Sequence, residues 1–242
     1  MVDSSLNTAP GGYDRISAPS GYDLIVQQLV PGYASLARLS VALLAASPLA
    51  SQPGASVLVA GCGTGAELVE ARCQRPDWQL CALDPSAAML AVAQQRLASL
   101  TPTEAAPAIA WRESTVEALQ ANAAFDGALS VLVLQSLPDD GTKLSFLSAL
   151  ARSLRPGGQL VLIDLMAPER SPLQAQVDAA WLGFQRASGV AADDAVVAGL
   201  TQGLHPIGDS RLSALVEAAG FSDPARIFQA LDVQGFLLQK LP

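Results

Sequence analysis

The sequence predicts an α/β fold whose centre is a doubly wound, mostly parallel sheet of seven strands with a C-terminal antiparallel strand. Short and nearly continuous apolar segments alternate along the chain with longer segments rich in Ala and Leu, a pattern typical of parallel strands joined by helices. The last two apolar segments, 225–229 and 233–239, are too close for a helix between them and predict a hairpin.

Length and composition exclude several functional classes. The chain has 242 residues, of which 50% are hydrophobic and 15% charged, as is typical of a compact globular enzyme. Its formal net charge of −8, without a cluster of Lys and Arg, argues against nucleic-acid binding. We expect no membrane association and a cytoplasmic location, because no apolar segment is long enough to span a bilayer and none resembles a signal peptide. Three unpaired cysteines and one histidine predict no metal site.

Residues 1–50 are predicted to form a flexible lead-in and a helical cap. The first 20 residues are rich in Ser, Pro and Gly. An amphipathic helix then covers about 22–30 and ends at Pro31-Gly32, and a second covers about 33–46 with its leucines on one face. Residues 51–242 are predicted to form the sheet domain, with an inserted helical lid at about 168–208.

The central motif of the chain lies at residues 57–68, where an apolar strand leads through Gly61-Cys62-Gly63-Thr64-Gly65 into a helix. Glycines at alternate positions permit backbone conformations that a Cβ would forbid and allow a ligand to approach closely. Gly65 is also expected to let the helix pack onto the strand. A dinucleotide fingerprint would place its third glycine at position 66, so a nucleoside other than a dinucleotide fits this loop better.

The second strand, 80–84, ends in Asp84, about 20 residues past the loop, where a carboxylate can accept hydrogen bonds from ribose hydroxyls. Ser86 is predicted to cap the next helix, on which Met89 lies either in the core or against an adenine. The third strand is predicted at 109–112, with 114–119 following at the carboxyl edge of the sheet.

The fourth strand is predicted at 125–134, followed by a helix over 142–154. A turn at 155–158 then reverses the chain into a fifth strand that ends at Asp164. The inserted segment contains Trp181, Phe184 and the single histidine, His205, and a helix over 210–219 precedes the C-terminal hairpin.

The Gly-x-Gly-x-Gly spacing after Leu58-Val59-Ala60, and Leu154-Arg155-Pro156-Gly157-Gly158 before an apolar strand, resemble the class I S-adenosylmethionine (SAM) methyltransferases. This resemblance implies a Rossmann-like fold and SAM as cofactor or substrate. The positions assigned to SAM on this basis are Tyr33, Ala60, Gly61, Cys62, Gly63, Gly65, Asp84, Pro85, Met89, Thr115, Val116 and Val131.

Within that superfamily the carboxy-SAM synthase branch is the most similar, on the basis of 31–33, 134–137, 184–189 and the C-terminal 235–240. The resemblance implies a homodimer. The chain departs from that branch at Gly199, where the synthases carry an arginine that binds the carboxylate of the modified cofactor. Thr115 replaces an aspartate on the adenine side, Val131 an asparagine and Val59 an acidic residue. We therefore expect chemistry different from that of the synthases.

Methyl transfer to a small-molecule acceptor is the first functional hypothesis. A second is chemistry on SAM itself, either carboxy-SAM synthase-like modification or attack of its own amine on its γ-carbon to give azetidine-2-carboxylate and methylthioadenosine. In either case Tyr33, Gln135 and Trp181 are the predicted catalytic residues, which would restrain the reacting groups. A third hypothesis is a SAM-binding protein without catalytic activity.

Overall fold

The computed structural model describes residues 21–100, 106–168, 171–190 and 202–242, and places seven strands in one sheet. Residues 1–20, for which a flexible lead-in is predicted, lie outside the described part, as do Gly199 and part of the predicted lid. The strands are β1 (Ser56–Ala60), β2 (Gln79–Asp84), β3 (Ala110–Glu113), β4 (Phe125–Val131), β5 (Leu154–Leu165), β6 (Ala225–Ala230) and β7 (Val233–Gln239).

The sheet order is β3-β2-β1-β4-β5-β7-β6. The strands from β3 to β5 run parallel, whereas β7 pairs antiparallel with both β5 and β6. This arrangement confirms the predicted mostly parallel, Rossmann-like sheet with its C-terminal antiparallel strand. The order reverses between β1 and β4, and ligands of open α/β sheets bind at the carboxyl ends of strands beside such a point.

The helices cover both faces of the sheet. They are α1 (Tyr22–Leu29), α2 (Tyr33–Ala45), α3 (Ala66–Gln74), α4 (Ala87–Ala98), α5 (Thr142–Ser153), α6 (Gln174–Ala187) and α7 (Asp209–Ala219). One core joins α2, α3 and α4 to alternate residues of β1 and β5, such as Val57 and Val161. The other joins α5 and α7 to the opposite residues, such as Leu58 and Leu160. The alternation along each strand thus buries both faces.

Two predicted boundaries at the fourth and fifth strands were wrong. β4 ends at Val131 rather than at residue 134, because Leu132, which still donates its N–H to the Ile163 carbonyl of β5, takes a φ of +58° outside the β region. The chain then forms a short 3-10 turn over Leu134–Ser136. Residues 155–158, predicted to be a turn, belong to β5, because Leu154 already pairs with Phe125 and a register shift follows.

Among the described residues, no single helix is long and apolar enough to cross a membrane. Helices α1 and α2 together reach the required length and composition, but they are bent by 97° at the break between them. The same residues contain no group of three His, Cys, Asp or Glu side chains able to hold a metal ion.

Candidate functional site

The glycine loop between β1 and α3 is fixed to the end of β2 by main-chain hydrogen bonds. Gly61 and Cys62 both donate their N–H to the Leu83 carbonyl, at 2.8 and 3.0 Å. Gly61, Gly63 and Gly65 have φ angles of +70°, +49° and +84°, a region that residues with a Cβ rarely adopt. The three predicted glycines therefore form one turn at the carboxyl edge of the sheet, directly after the buried Ala60.

The three glycines differ in what surrounds them. A Cβ at Gly61 would lie 2.4 Å from Cγ2 of Val133, so the side chain of the segment after β4 occupies that space. A Cβ at Gly65 would lie 3.0 Å from the Cβ of Ala93, so this glycine lets α4 approach, which corrects the expectation that it serves packing on the strand. A Cβ at Gly63 would have no atom of a non-neighbouring residue within 4 Å, so this glycine leaves room for a ligand.

Asp84 lies at the end of β2, directly beside this open space. Its side chain is buried and accepts the Gly63 N–H at 2.8 Å and the Ser86 N–H at 2.9 Å. A carboxylate at this position is suited to accept hydrogen bonds from the ribose hydroxyls of a nucleoside. The structure therefore brings together the two predicted elements of a nucleoside site, and a cofactor with a ribose fits here.

The other residues predicted to contact the cofactor surround this edge with different exposure. Pro85 and Thr115 are exposed, whereas Met89 and Val116 are buried and only 3% and 1% exposed. Val131 is partly buried against the core on the α2 side. Burial raises the pKa of the Cys62 thiol, so this loop cysteine is held as a neutral thiol.

A polar cluster joins the loop to the N-terminal helices. Asp23 of α1 accepts a hydrogen bond from the Thr64 hydroxyl at 2.6 Å and one from the Tyr33 hydroxyl at 3.3 Å. Its second oxygen pairs with Arg96 of α4 at 2.5 Å. Burial, together with nearby Glu67 and Asp23, raises the pKa of Tyr33, which therefore remains a hydrogen-bond donor.

Glu67 lies in the first turn of α3, within the same cluster, and is 8% exposed. Burial raises the pKa of this carboxyl to about 7, the proximity of Asp23 adds to the effect and Arg96 opposes it. The glycine loop is thus bordered by a carboxyl group whose charge changes near neutral pH.

The turn after β4 is held by a second buried acid. Asp164, at the end of β5, accepts the N–H groups of Leu134 and Gln135, each at 2.8 Å, and is 1% exposed. Burial raises the pKa of Asp164 to about 7, an effect that its two backbone donors and Lys143 oppose. The fully buried Lys143 donates to the Leu134 carbonyl at 2.5 Å, and burial lowers its pKa.

The structure places the remaining predicted catalytic residues in supporting contacts. The side-chain oxygen of Gln135 accepts the Leu165 N–H at 2.9 Å, and its carbonyl accepts the His205 N–H at 2.6 Å. The Trp181 indole donates to the Leu29 carbonyl at 2.7 Å and so attaches α6 to the end of α1. His205 is exposed beside the turn that follows β4.

The sequence analysis missed Asp23, Arg96, Glu67, Asp164 and Lys143 as parts of this site. Asp23 and Glu67 are ordinary first-turn helix residues by sequence, since acids favour helix N-termini. The sequence contained one indication that Lys143 is buried and paired. It lies on the apolar face of a helix, and a buried ammonium group requires a hydrogen-bond partner.

Comparison with known proteins agrees with this geometry. Residues 58–160 match the family described as "Methyltransferase domain". A trans-aconitate 2-methyltransferase of Methylobacterium nodulans is 38% identical over 122 residues, which are 50% of this chain and 41% of that protein. The chain therefore matches less than half of the length of this curated relative.

Two solved structures share the fold. A SAM-dependent methyltransferase of Methanosarcina mazei has a TM-score of 0.60 and 18% identity, covering 78% of this chain and 94% of its own. The 1,6-didemethyltoxoflavin-N1-methyltransferase of Burkholderia thailandensis, solved with bound 1,6-didemethyltoxoflavin and S-adenosylhomocysteine, has a TM-score of 0.57 and 21% identity. The match covers 100% of this chain and 94% of that chain. Together with the loop geometry, these findings show that residues 58–160 match a methyltransferase domain and that the chain shares its fold with SAM-dependent methyltransferases.

Proposed function

We propose that this chain transfers the methyl group of SAM to a small-molecule acceptor. The observation that carries the proposal is the glycine loop beside Asp84 at the point where the sheet order reverses, with open space at Gly63. The methyltransferase domain matched at 58–160 supports the same reaction class. Bound SAM would supply a methyl group activated by its sulfonium.

The residues of the chain would orient the cofactor and exclude water from it. Asp84 is suited to accept the ribose hydroxyls, and the open Cα of Gly63 is suited to lie against the amino-acid portion. In the reaction, an acceptor nucleophile bonds to the methyl carbon while the carbon–sulfur bond breaks, and its electron pair stays on sulfur. The products are the methylated acceptor, S-adenosylhomocysteine and one proton.

The acceptor would lie beyond the carboxyl ends of β4 and β5, near the turn at Leu134–Ser136. A small acceptor is supported by the net charge of −8, which disfavours nucleic acid, and by two relatives whose names specify trans-aconitate and a toxoflavin precursor.

Incubation of the purified chain with SAM, alone and with a panel of small acceptors, tests the proposal by mass spectrometry. We expect SAM to remain intact alone and S-adenosylhomocysteine to form together with a product 14 mass units heavier, roughly one CH₂. Methylthioadenosine formed from SAM alone would instead show cyclisation and overturn the proposal. The Gly63→Ala variant should lose the product and serves as the control for contaminating activity.

A further inference from the structure

Asp23 joins four segments of the chain through one carboxylate. It lies in the first turn of α1. It accepts hydrogen bonds from the hydroxyls of Thr64 in the glycine loop and Tyr33 at the start of α2. It also pairs with Arg96 near the end of α4. Arg96 is 73 residues away along the sequence and Thr64 is 41. The contact is therefore a product of the fold rather than of a local turn.

The contact is partly shielded from solvent. Thr64 is 4% exposed, and the side chains of Asp23 and Arg96 are 25% and 39% exposed. The Thr64 hydroxyl and the Arg96 guanidinium both donate to the Asp23 carboxylate, and hydrogen bonds to a charged group are stronger than those between neutral groups. Glu67, also beside Asp23, is buried and is less able to compete for Arg96 when it is protonated.

Thr64 stands between Gly63 and Gly65, so its hydroxyl bond acts directly on the flexible part of the loop. On one side Asp84 holds the Gly63 N–H at 2.8 Å, and on the other Asp23 holds Thr64 at 2.6 Å. Two carboxylates from different elements thus fix consecutive residues of the loop. Without Asp23, the loop would keep its bonds to β2 but would be free to move on the side of the N-terminal helices.

We propose that Asp23 is a positioning residue, which fastens α1 to the glycine loop and thereby slows the release of SAM. This inference rests on SAM binding at the loop. According to this proposal, Asp23 affects cofactor binding through its hydrogen bond with Thr64. The aspartate needs no contact with the cofactor. Loss of the contact should raise the dissociation rate of S-adenosylhomocysteine more than it lowers the association rate, since most affinity differences within one site reside in dissociation.

The test compares Asp23→Asn with Asp126→Asn. Asp126 is a matched control, because it accepts the Ser56 N–H at 2.8 Å and pairs with Arg155 at 2.5 Å, at the opposite edge of the sheet. Both variants should lower the melting temperature. Only Asp23→Asn should raise the Kd of S-adenosylhomocysteine in calorimetry, by about tenfold. A purely structural role would lower the melting temperature of Asp23→Asn and leave that Kd unchanged, which would overturn the inference.

Thr64→Val gives a second and independent measurement, because it removes the hydroxyl and keeps the Asp23–Arg96 pair. If Asp23 acts through Thr64, the double variant should bind S-adenosylhomocysteine no more weakly than the weaker single variant. Additive effects would contradict the inference even if both single variants bind weakly. Failure of the unmodified chain to bind would contradict the proposed function itself, whereas equal binding by all variants would overturn only the role of Asp23.

Discussion

A methyl group added to Gly61 and one added to Gly63 would meet different surroundings. At Gly61 it would collide with Val133, and at Gly63 it would project into open space beside Asp84. Both glycines have positive φ, so either substitution also carries backbone strain. The first position therefore serves packing, and the second keeps space for the cofactor.

Gly63→Ala should weaken S-adenosylhomocysteine binding more than tenfold while lowering the free energy of unfolding by only about 1–2 kcal/mol. Gly54→Ala is the matched control, because Gly54 also has positive φ and open surroundings but lies in the loop before β1. It should show the same stability loss with unchanged binding in calorimetry. Equal binding of S-adenosylhomocysteine by Gly63→Ala and Gly54→Ala would show that Gly63 is not part of the cofactor site.

Glu67 makes stability depend on pH in a defined direction. Burial raises its pKa to about 7, so the folded state favours the protonated acid. The contribution of Glu67 to the free energy of unfolding is fully present below the pKa of the unfolded state, near 4.5, and is lost as the pH rises to about 7. This change in the free energy of unfolding amounts to about 3 kcal/mol.

Glu67→Gln should remove this dependence, because the amide stays neutral. Denaturant unfolding between pH 4.5 and pH 8 should show the wild type losing stability relative to Glu67→Gln as the pH rises. Glu70→Gln, one turn along on the half-buried part of α3, should keep the wild-type slope. Parallel curves for the wild type and Glu67→Gln would contradict the raised pKa.

Among the elements, the short turn over Leu134–Ser136 depends on a distant strand for its hydrogen bonds. Its first two N–H groups donate hydrogen bonds to Asp164 of β5, and the Leu134 carbonyl accepts a hydrogen bond from Lys143 of α5. The turn follows Leu132, whose φ of +58° is unfavourable for a residue with a Cβ. The bonds to Asp164 thus stabilise a chain reversal that the local sequence does not favour.

Asp164→Ala should lower the free energy of unfolding by about 3–5 kcal/mol, because it leaves two buried N–H groups without an acceptor and removes the acidic group nearest to the buried Lys143 ammonium. Asp140→Ala is the comparison, since Asp140 also accepts a backbone N–H, from Thr142, but is exposed. That variant should lose much less stability than Asp164→Ala in denaturant unfolding. Similar losses for the two would show that Asp164 does not hold the turn.

At the scale of the whole molecule, the sequence was sufficient for the sheet and for the glycine loop, since both depend on local patterns. Nearly continuous apolar segments such as 80–84, bounded by turn residues, predict buried strands from the local pattern, and the positive φ angles of the loop favour glycine. Asp84 followed from its spacing to the loop.

The features that sequence could not provide depend on contacts between distant residues. β4 ends where Leu132 takes a positive φ beside β5, and Trp181 donates to a carbonyl 152 residues away. The role of Asp23 is set by partners on three other elements. Because these roles depend on tertiary contacts, the local spacing of residues in the sequence does not predict them.

Calorimetric titration of the unmodified chain and of Asp84→Asn with S-adenosylhomocysteine tests the central claim, that the loop and Asp84 hold SAM at the reversal of the sheet. The variant has one amide nitrogen in place of an oxygen that accepts a loop or Ser86 N–H. We predict one molecule bound per wild-type chain and binding at least about tenfold weaker in Asp84→Asn. No binding by the wild type, or equal binding by the two proteins, would contradict the account.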